Sequence, residues 1–438
     1  MSTQTADRTV LETPSIAAAK VTRSRLFPLI VFITTFGLLL SDYMSRQVLS
    51  AVFPFLKVEW ALSDTQLGSM TSIVALTVGL LAVPLSLLGD RWGRSKAIIA
   101  MATLWSVATL GSAIAANYEQ MMAARLFIGL GEAAYGSVGL AVVLMVFSPA
   151  RRASLTGAYM AGGSFGSVLG VFLGGILAVQ FGWRGAFVAM AVIGLVLVVI
   201  YALFINDAKL KRHQHPGNVI AGQAAGGKRA PLRTLVSTPS VMFAYLASGM
   251  QLFIAGTLFA WTPSWLGRTY GLAPDKAGIA AAGFILLMGV GMIVCGMITD
   301  RLSAGNPNRK WTSALAYASL SLVLLTIGFS LDAGTGQLLL VALGAFFAAG
   351  TAGPAGAMVA NLTPASIRAT AFGTLTFFNS VLGLAAGPLV IGILADRLGL
   401  ATAMQIAPLC SIPVIVALVI GLRKYPASLR RASSLQSA

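Results

Sequence analysis

The chain has 438 residues, of which 57% are hydrophobic and only 10% charged, with a mean hydropathy of +0.84. Soluble domains carry roughly 25% charged residues, so lipid is the expected solvent of this one. The net charge of +17 would suggest nucleic acid in a soluble protein, but the basic residues sort by topology, and that pattern argues against nucleic acid.

In chain order, the first 25 residues are polar and carry Arg8, Lys20, Arg23 and Arg25. The first span can itself direct insertion, so no cleavable signal is needed. Long charge-free blocks follow, among them Ala97–Tyr118, Ala153–Trp183 and Ala369–Ala395. Crossing the hydrocarbon takes about 20 apolar residues in a helix, and only helices or closed barrels satisfy their backbone there. Barrels need short alternating segments, which are absent. The blocks predict twelve spans, at 26–53, 65–88, 97–116, 119–147, 153–178, 185–205, 240–266, 275–299, 311–331, 336–362, 369–395 and 401–422. Ser63 with Gln66 reads as a capping box ahead of span two, and Pro274-Asp275 opens span eight.

The fold class is therefore an all-α polytopic membrane protein with twelve transmembrane helices. The longest polar stretch, Asp207–Arg233, is basic and divides the spans six and six. The expected organisation is a tail over 1–25, a six-helix half over 26–206, a linker over 207–236, a second half over 237–423 and a tail over 424–438. Cys295 and Cys410 sit in apolar blocks as free thiols, and His213 and His215 lie in the solvated linker. Neither a disulfide, a metal site nor a cofactor is expected. No nucleotide-binding loop or nucleophile triad appears, so the chain is not expected to be an enzyme.

Sorted by loop, 23 Lys and Arg residues fall on the side holding both termini and 5 on the other, with Arg46 and Arg125 inside spans. That bias places both termini in the cytoplasm. The compact loops point to the inner membrane of a bacterium, and a monomer is expected.

The halves repeat. Gly89-Asp90-Arg91-Trp92-Gly93-Arg94 follows span two, and Thr299-Asp300-Arg301-Leu302 follows span eight. Ser148-Pro149-Ala150-Arg151-Arg152 after span four is echoed by Thr363-Pro364-Ala365-Ser366-Ile367-Arg368 after span ten. Duplicated membrane halves with a site at their interface form a transporter architecture, with the halves related by pseudo-symmetry. At these residues the chain resembles the major facilitator superfamily over essentially its whole length. The resemblance implies that the loop latches the halves on the cytoplasmic side, through Asp90, Arg91, Gly93 and Arg94, with Asp300 and Arg301 as the repeat.

Away from the span ends, only four charges interrupt the spans: Asp42, Arg46, Arg125 and Glu132. Each costs at least roughly 2.5–3.5 kcal/mol at mid-bilayer, so a chain that retains them uses them. Asp42 and Arg46 are four residues apart and Arg125 and Glu132 seven, so each pair shares a helix face. One reading is an ion-pair cluster that joins helices one and four. The other is proton-linked anion binding, in which a carboxylate competes with the acids for the arginines and the displaced acids take up protons.

Ser45-Arg46-Gln47-Val48-Leu49-Ser50 with Leu62-Ser63-Asp64-Thr65-Gln66-Leu67-Gly68, and Arg125 leading to Gly131-Glu132, resemble the anion:cation symporter branch. That resemblance implies substrate binding at Arg46 and Arg125 and proton coupling at Glu132. Ser45 stands where the branch carries aspartate, and Asp42 lies one turn earlier. Gly131-Glu132-Ala133-Ala134-Tyr135 equally resembles the spinster-like branch, which moves lysolipids. Tyr43, Tyr135, Gln251, Trp261 and Asn379 are candidates to line the substrate path, with interhelical bridging as the alternative for each.

The expected function is secondary active transport, namely proton-coupled symport of a small organic anion by alternating access. A lipid or amphiphile exporter of spinster type is the transporter alternative. A non-transporting membrane receptor is the alternative from another class.

Overall fold

The computed structural model describes residues 26–148, 151–215, 238–306, 308–363 and 367–437. The side chains of residues 90, 152, 153, 368, 369 and 431–437 are outside that description, as are the N-terminal tail and most of the central linker.

Among the described residues all regular structure is helical, and eleven stretches are long and apolar enough to cross a membrane. One of them, Ser154–Phe204, holds two spans, split at the non-helical Gly182 (φ 73°, ψ 163°). Its glycines show the reversal. Gly162, Gly166, Gly170 and Gly174 pack in order against Phe36, Leu40, Met44 and Val48 of span one (Leu26–Glu59). Past Gly182 the order inverts, with Gly194 beside Ser41 and Leu197 against Gly37. Twelve crossings result, as the charge-free blocks predict.

Span two (Asp64–Trp92) starts on the expected capping box, the Gln66 N–H donating to Ser63 Oγ at 3.1 Å and the Ser63 N–H to Gln66 Oε1 at 3.0 Å. Positive-φ glycines close three equivalent corners: Gly93 after span two, Gly182 after span five and Gly399 after span eleven. A left-handed corner of this kind suits a residue without a Cβ. The first two lie three spans apart within the first half, and the third lies six spans after the second, at the matching place in the second half. Span eleven is interrupted by a π-helical stretch, Asn379–Ala385, between Arg368–Phe378 and Ala386–Leu398. The final helix, Ser411–Ser437, carries span twelve into the region expected to be a separate tail.

Two faces of the bundle can be distinguished. The terminal face holds the start of span one, the end of span six and the helix Asp207–Arg212. The distal face holds the 59–64, 182 and 270–274 turns. The hydrogen bonds and ion pair that join Asp64 and Thr65 of one half to Arg268 and Asp396 of the other lie on the distal face.

Glycine permits that closure. A Cβ on Gly68 would strike the Pro388 carbonyl oxygen, and one on Gly392 would lie 2.5 Å from the Asp64 carbonyl oxygen. Gly68→Ala is therefore expected to hold the distal face apart. A cysteine introduced at Leu389, whose backbone faces Gly68, should react with an impermeant maleimide on the order of tenfold faster in that background, equivalent to about 1.4 kcal/mol.

Candidate functional site

Span four (Tyr118–Glu132) runs antiparallel to span one, continuing as Tyr135–Val146 after a break at Ala133 and Ala134. Two glycines seat it deeply. A Cβ on Gly129 would meet Val74 and Thr77 of span two, and one on Gly131 would meet the Met101 and Trp105 backbone of span three. Close approach on that side turns Glu132 toward span one, at the broken end of its helix.

There the four intramembrane charges meet. Arg46 donates from Nε at 3.0 Å and from Nη2 at 2.6 Å to Glu132 Oε2. The Glu132 side chain has no exposure, and that of Arg46 retains 17%. Asp42 is buried one turn before Arg46 on the same helix, and among the described residues its Oδ1, like Glu132 Oε1, has no hydrogen-bond partner. The Tyr43 ring lies 5.4 Å from the Arg46 guanidinium carbon.

Arg125 is different. It is wholly buried, it donates from Nη1 to the Ser45 carbonyl at 3.3 Å, and its guanidinium lies over the Phe187 ring at 5.0 Å. Among the described residues its Nε and Nη2 have no hydrogen-bond partner. Ser45, at the position where the symporter branch carries aspartate, thus offers Arg125 a carbonyl and no charge. Helical spacing groups the four residues but leaves open which acid takes which base.

The other candidates are held by bonds of their own. Tyr135 donates its hydroxyl to the Thr35 carbonyl at 2.6 Å and meets Trp105 edge-on at 4.9 Å. Gln251 Nε2 donates to the Ala348 carbonyl at 3.1 Å, and Trp261 Nε1 to the Pro388 carbonyl at 3.0 Å. Asn379 Oδ1 accepts from Ser248 Oγ at 2.7 Å. Each of these bonds stays within one half of the bundle, the bridging arrangement open to them from sequence. Trp261 also reaches across, its ring 5.4 Å from that of Phe53.

In the loop motif, the Asp90 side chain lies outside the described residues. Arg91, Asp300 and Arg301 are exposed on the terminal face, and Arg94 Nη1 lies 3.8 Å from Met145 Sδ. The carboxylate of Asp207 packs where a Cβ on Gly93 would sit and accepts from the Ser95 N–H at 2.9 Å. The motif is thereby braced within its own half.

Sequence reasoning missed the distal lock. Asp64, at the start of span two, accepts from Lys57 Nζ at 2.5 Å and from both Arg268 Nη atoms at 2.6 and 2.7 Å. Asp396, at the end of span eleven, accepts from the Asp64 and Thr65 N–H groups at 2.7 and 2.8 Å, capping span two from the other half. A signal was present, since Asp396-Arg397-Leu398-Gly399 repeats the Asp90-Arg91-Trp92-Gly93 pattern on the opposite face.

A sequence profile of the Major Facilitator Superfamily matches residues 35–332 and again 241–436. The chain belongs to the major facilitator superfamily. It is a transporter and not an enzyme. Relatives of this superfamily member include the hexuronate transporter of Bacillus subtilis, 25% identical over 382 residues, covering 85% of this chain and 88% of the relative. The gallate transporter of Pseudomonas putida is 30% identical over 326 residues, covering 68% and 70%. In fold the chain is similar to the crystal structure of a bacterial homologue of the human lysosomal transporter spinster, inward-facing and unoccupied. The TM-score is 0.77 with 17% identity, over 94% of this chain and 99% of that one.

Proposed function

We propose that this superfamily member is a proton-coupled symporter of a small organic anion, held in the bacterial inner membrane with both termini in the cytoplasm and acting as a monomer. The terminal face is then cytoplasmic, and the closed distal face makes this the inward-facing arrangement.

One observation carries the reading: Arg125 is a buried cation with two unpartnered N–H groups, while both acids gather at Arg46. A guanidinium keeps its charge at any physiological pH and grips an oxyanion with paired donors, so the open Nε and Nη2 edge suits a carboxylate. Two buried carboxyls beside a single guanidinium repel each other when both are ionised, so one proton on the pair is favoured. With that proton present, the four groups carry one net positive charge, and a monoanion at Arg125 neutralises them. Without it they are already neutral and the anion arrives as excess charge in the membrane. Proton and anion therefore favour each other's binding, the reciprocity that symport requires. The names of the hexuronate and gallate transporters support a small organic anion as substrate.

Glu132→Gln keeps the geometry and removes the proton cycle. In proteoliposomes, glucuronate and gallate are the anions to test. The variant is expected to retain exchange across the membrane while its proton-driven accumulation falls to simple equilibration. Accumulation at the parent level would sink the coupling, and proton-independent lysolipid extrusion by the parent would favour the spinster-type exporter.

A further inference from the structure

The last helix does not stop where the bilayer does. Span twelve is free of charge from Leu400 to Leu422, and about 20 residues at roughly 1.5 Å each cross the hydrocarbon. Beyond Leu422 the helix continues and is tied down on the terminal face. Ser240 Oγ, at the start of span seven (Pro239–Tyr270), donates to the Gly421 carbonyl at 3.1 Å and accepts from Ser428 Oγ at 2.9 Å. A Cβ on Gly421 would strike the Trp311 ring at the start of span nine (Arg309–Ser330), and the Tyr425 ring lies 5.9 Å from that of Trp311. Orientation in the membrane needs only charge in the loops, so topology gives no reason to hold the extension in place.

What this packing positions is charge. Trp311 follows Arg309 and Lys310, and Tyr425 follows Arg423 and Lys424. One ring contact therefore sets two pairs of cations at the same depth, where spans nine and twelve leave the hydrocarbon. Arg309, Arg423 and Lys424 are exposed and Lys310 is half-buried. Arg309 Nη1 donates to the Leu302 carbonyl at 3.2 Å, and Lys424 Nζ lies 5.9 Å from the centre of the Phe243 ring. Among the described residues none of the four pairs with a carboxylate. From residue 238 on, Asp300 is the one acid on the terminal side; Asp275, Asp332 and Asp396 lie on the distal side. The first half builds the matching joint differently. Helix Asp207–Arg212 follows span six as the extension follows span twelve, and Asp207 Oδ1 accepts from the Ser95 N–H at the start of span three. In the second half two rings stand in place of that carboxylate, and the cations around them keep no anion of the chain.

We propose that Arg309, Lys310, Arg423 and Lys424 bind the headgroup of an anionic phospholipid in the leaflet at the terminal face. The lipid phosphate then joins spans nine and twelve as Asp207 joins spans three and six. Basic pockets between membrane helices suit such headgroups, and the fork of an arginine matches two phosphate oxygens. Below the cations, spans nine and twelve leave Leu320, Val323, Ile412 and Val416 43–52% exposed, an apolar surface on which the acyl chains lie. The site is separate from the four intramembrane charges and stands whether or not transport is proton-coupled.

The test needs no substrate. The full chain in detergent is titrated with dioleoylphosphatidylglycerol or dioleoylphosphatidylcholine, and bound lipid is counted by native mass spectrometry. The parent is expected to prefer phosphatidylglycerol. Each cation near an anionic headgroup is worth roughly a factor of five in affinity. The double variant Arg423→Gln with Lys424→Gln, and the double variant Arg309→Gln with Lys310→Gln, should therefore each weaken phosphatidylglycerol binding about 25-fold and leave phosphatidylcholine unchanged. Lys209→Gln with Lys211→Gln, in the first half, should leave both lipids unaffected. Three results overturn the site: equal binding of the two lipids by the parent, parent-like binding in both double variants, or an equal loss in the first-half variant, which would mean diffuse surface charge. Should the double variants fail to assemble, a photoreactive phosphatidylglycerol decides on the parent. Crosslinks within 309–323 and 412–430 support the site, and crosslinks confined to other segments overturn it.

Discussion

Arg125→Met is expected to abolish anion binding and, at the same time, to make the protein more stable. The wild-type guanidinium is fully buried and holds one 3.3 Å hydrogen bond to the Ser45 carbonyl, with two N–H groups unpartnered among the described residues. A buried cation that no carboxylate pairs with carries a desolvation penalty of several kcal/mol, and an apolar side chain of similar volume removes it. At roughly 2–4 °C per kcal/mol the melting point should rise by several degrees. Binding moves the other way. Two charge-assisted hydrogen bonds are worth about 1.5–3 kcal/mol each, so their loss lowers anion affinity on the order of a hundredfold or more. Scanning fluorimetry with and without glucuronate or gallate reads both effects. A variant that melts lower than the parent and still shifts with anion would identify Arg125 as a strut between spans one, four and six.

The second large effect is expected at the distal lock. Asp64→Asn leaves the backbone caps from Asp396 intact and removes the charge that gathers Lys57 and Arg268. The Asp64 side chain is only 4% exposed, although Arg268 and Lys57 are 37% and 36% exposed and partly screened by solvent. Removing one partner of a buried pair costs about 3–5 kcal/mol. Screening of the cations reduces this to about 1–3 kcal/mol, and the part due to Arg268, in the opposite half, falls only on the distal-closed state. The distal-open population should rise roughly 5- to 150-fold. Spin labels at Gln120 and Lys276, with Cys295 and Cys410 replaced by Ala, would show the growth of a longer distance. An unchanged distribution would mean that the glycine contacts hold the face closed without the ion pairs.

The twelve crossings were legible because lipid enforces them: charge-free blocks of sufficient length have few other uses. Ser63 and Gln66 were legible as a cap because their reciprocal bonds are local in sequence. Clustering of Asp42, Arg46, Arg125 and Glu132 was legible from helical spacing and from the cost of stranding charge in hydrocarbon. The pairing was not. Whether Glu132 faces Arg46 or Arg125 depends on how deeply span four sits, which Gly129 and Gly131 decide through contacts with spans two and three. The distal lock joins residues 204 and 332 positions apart, Arg268 to Asp64 and Asp396 to Asp64. No local rule connects positions so far apart, and Asp64 by itself reads as an ordinary acid in the first turn of a helix. The final helix outran its expected end because Tyr425 is buried against Trp311, 5.9 Å between rings, so apolar packing continues past the hydrophobic block.

The π-helical stretch of span eleven gives that helix two unlike flanks. Along one, the carbonyls of Phe378 and Gly383 press against Gly249 and Gly256 of span seven, backbone on backbone, within the same half. Along the other, the Ser380 and Val381 side chains touch Gly79 of span two, in the opposite half. A widened turn adds a residue and rotates the remainder of the helix by about 100° around its axis, so a single rod can aim different faces at two partners. Span eleven is a keystone that both halves share while the distal face is closed, and deleting one residue between Ser380 and Leu384 would swing Pro388, Gly392 and Asp396 off span two.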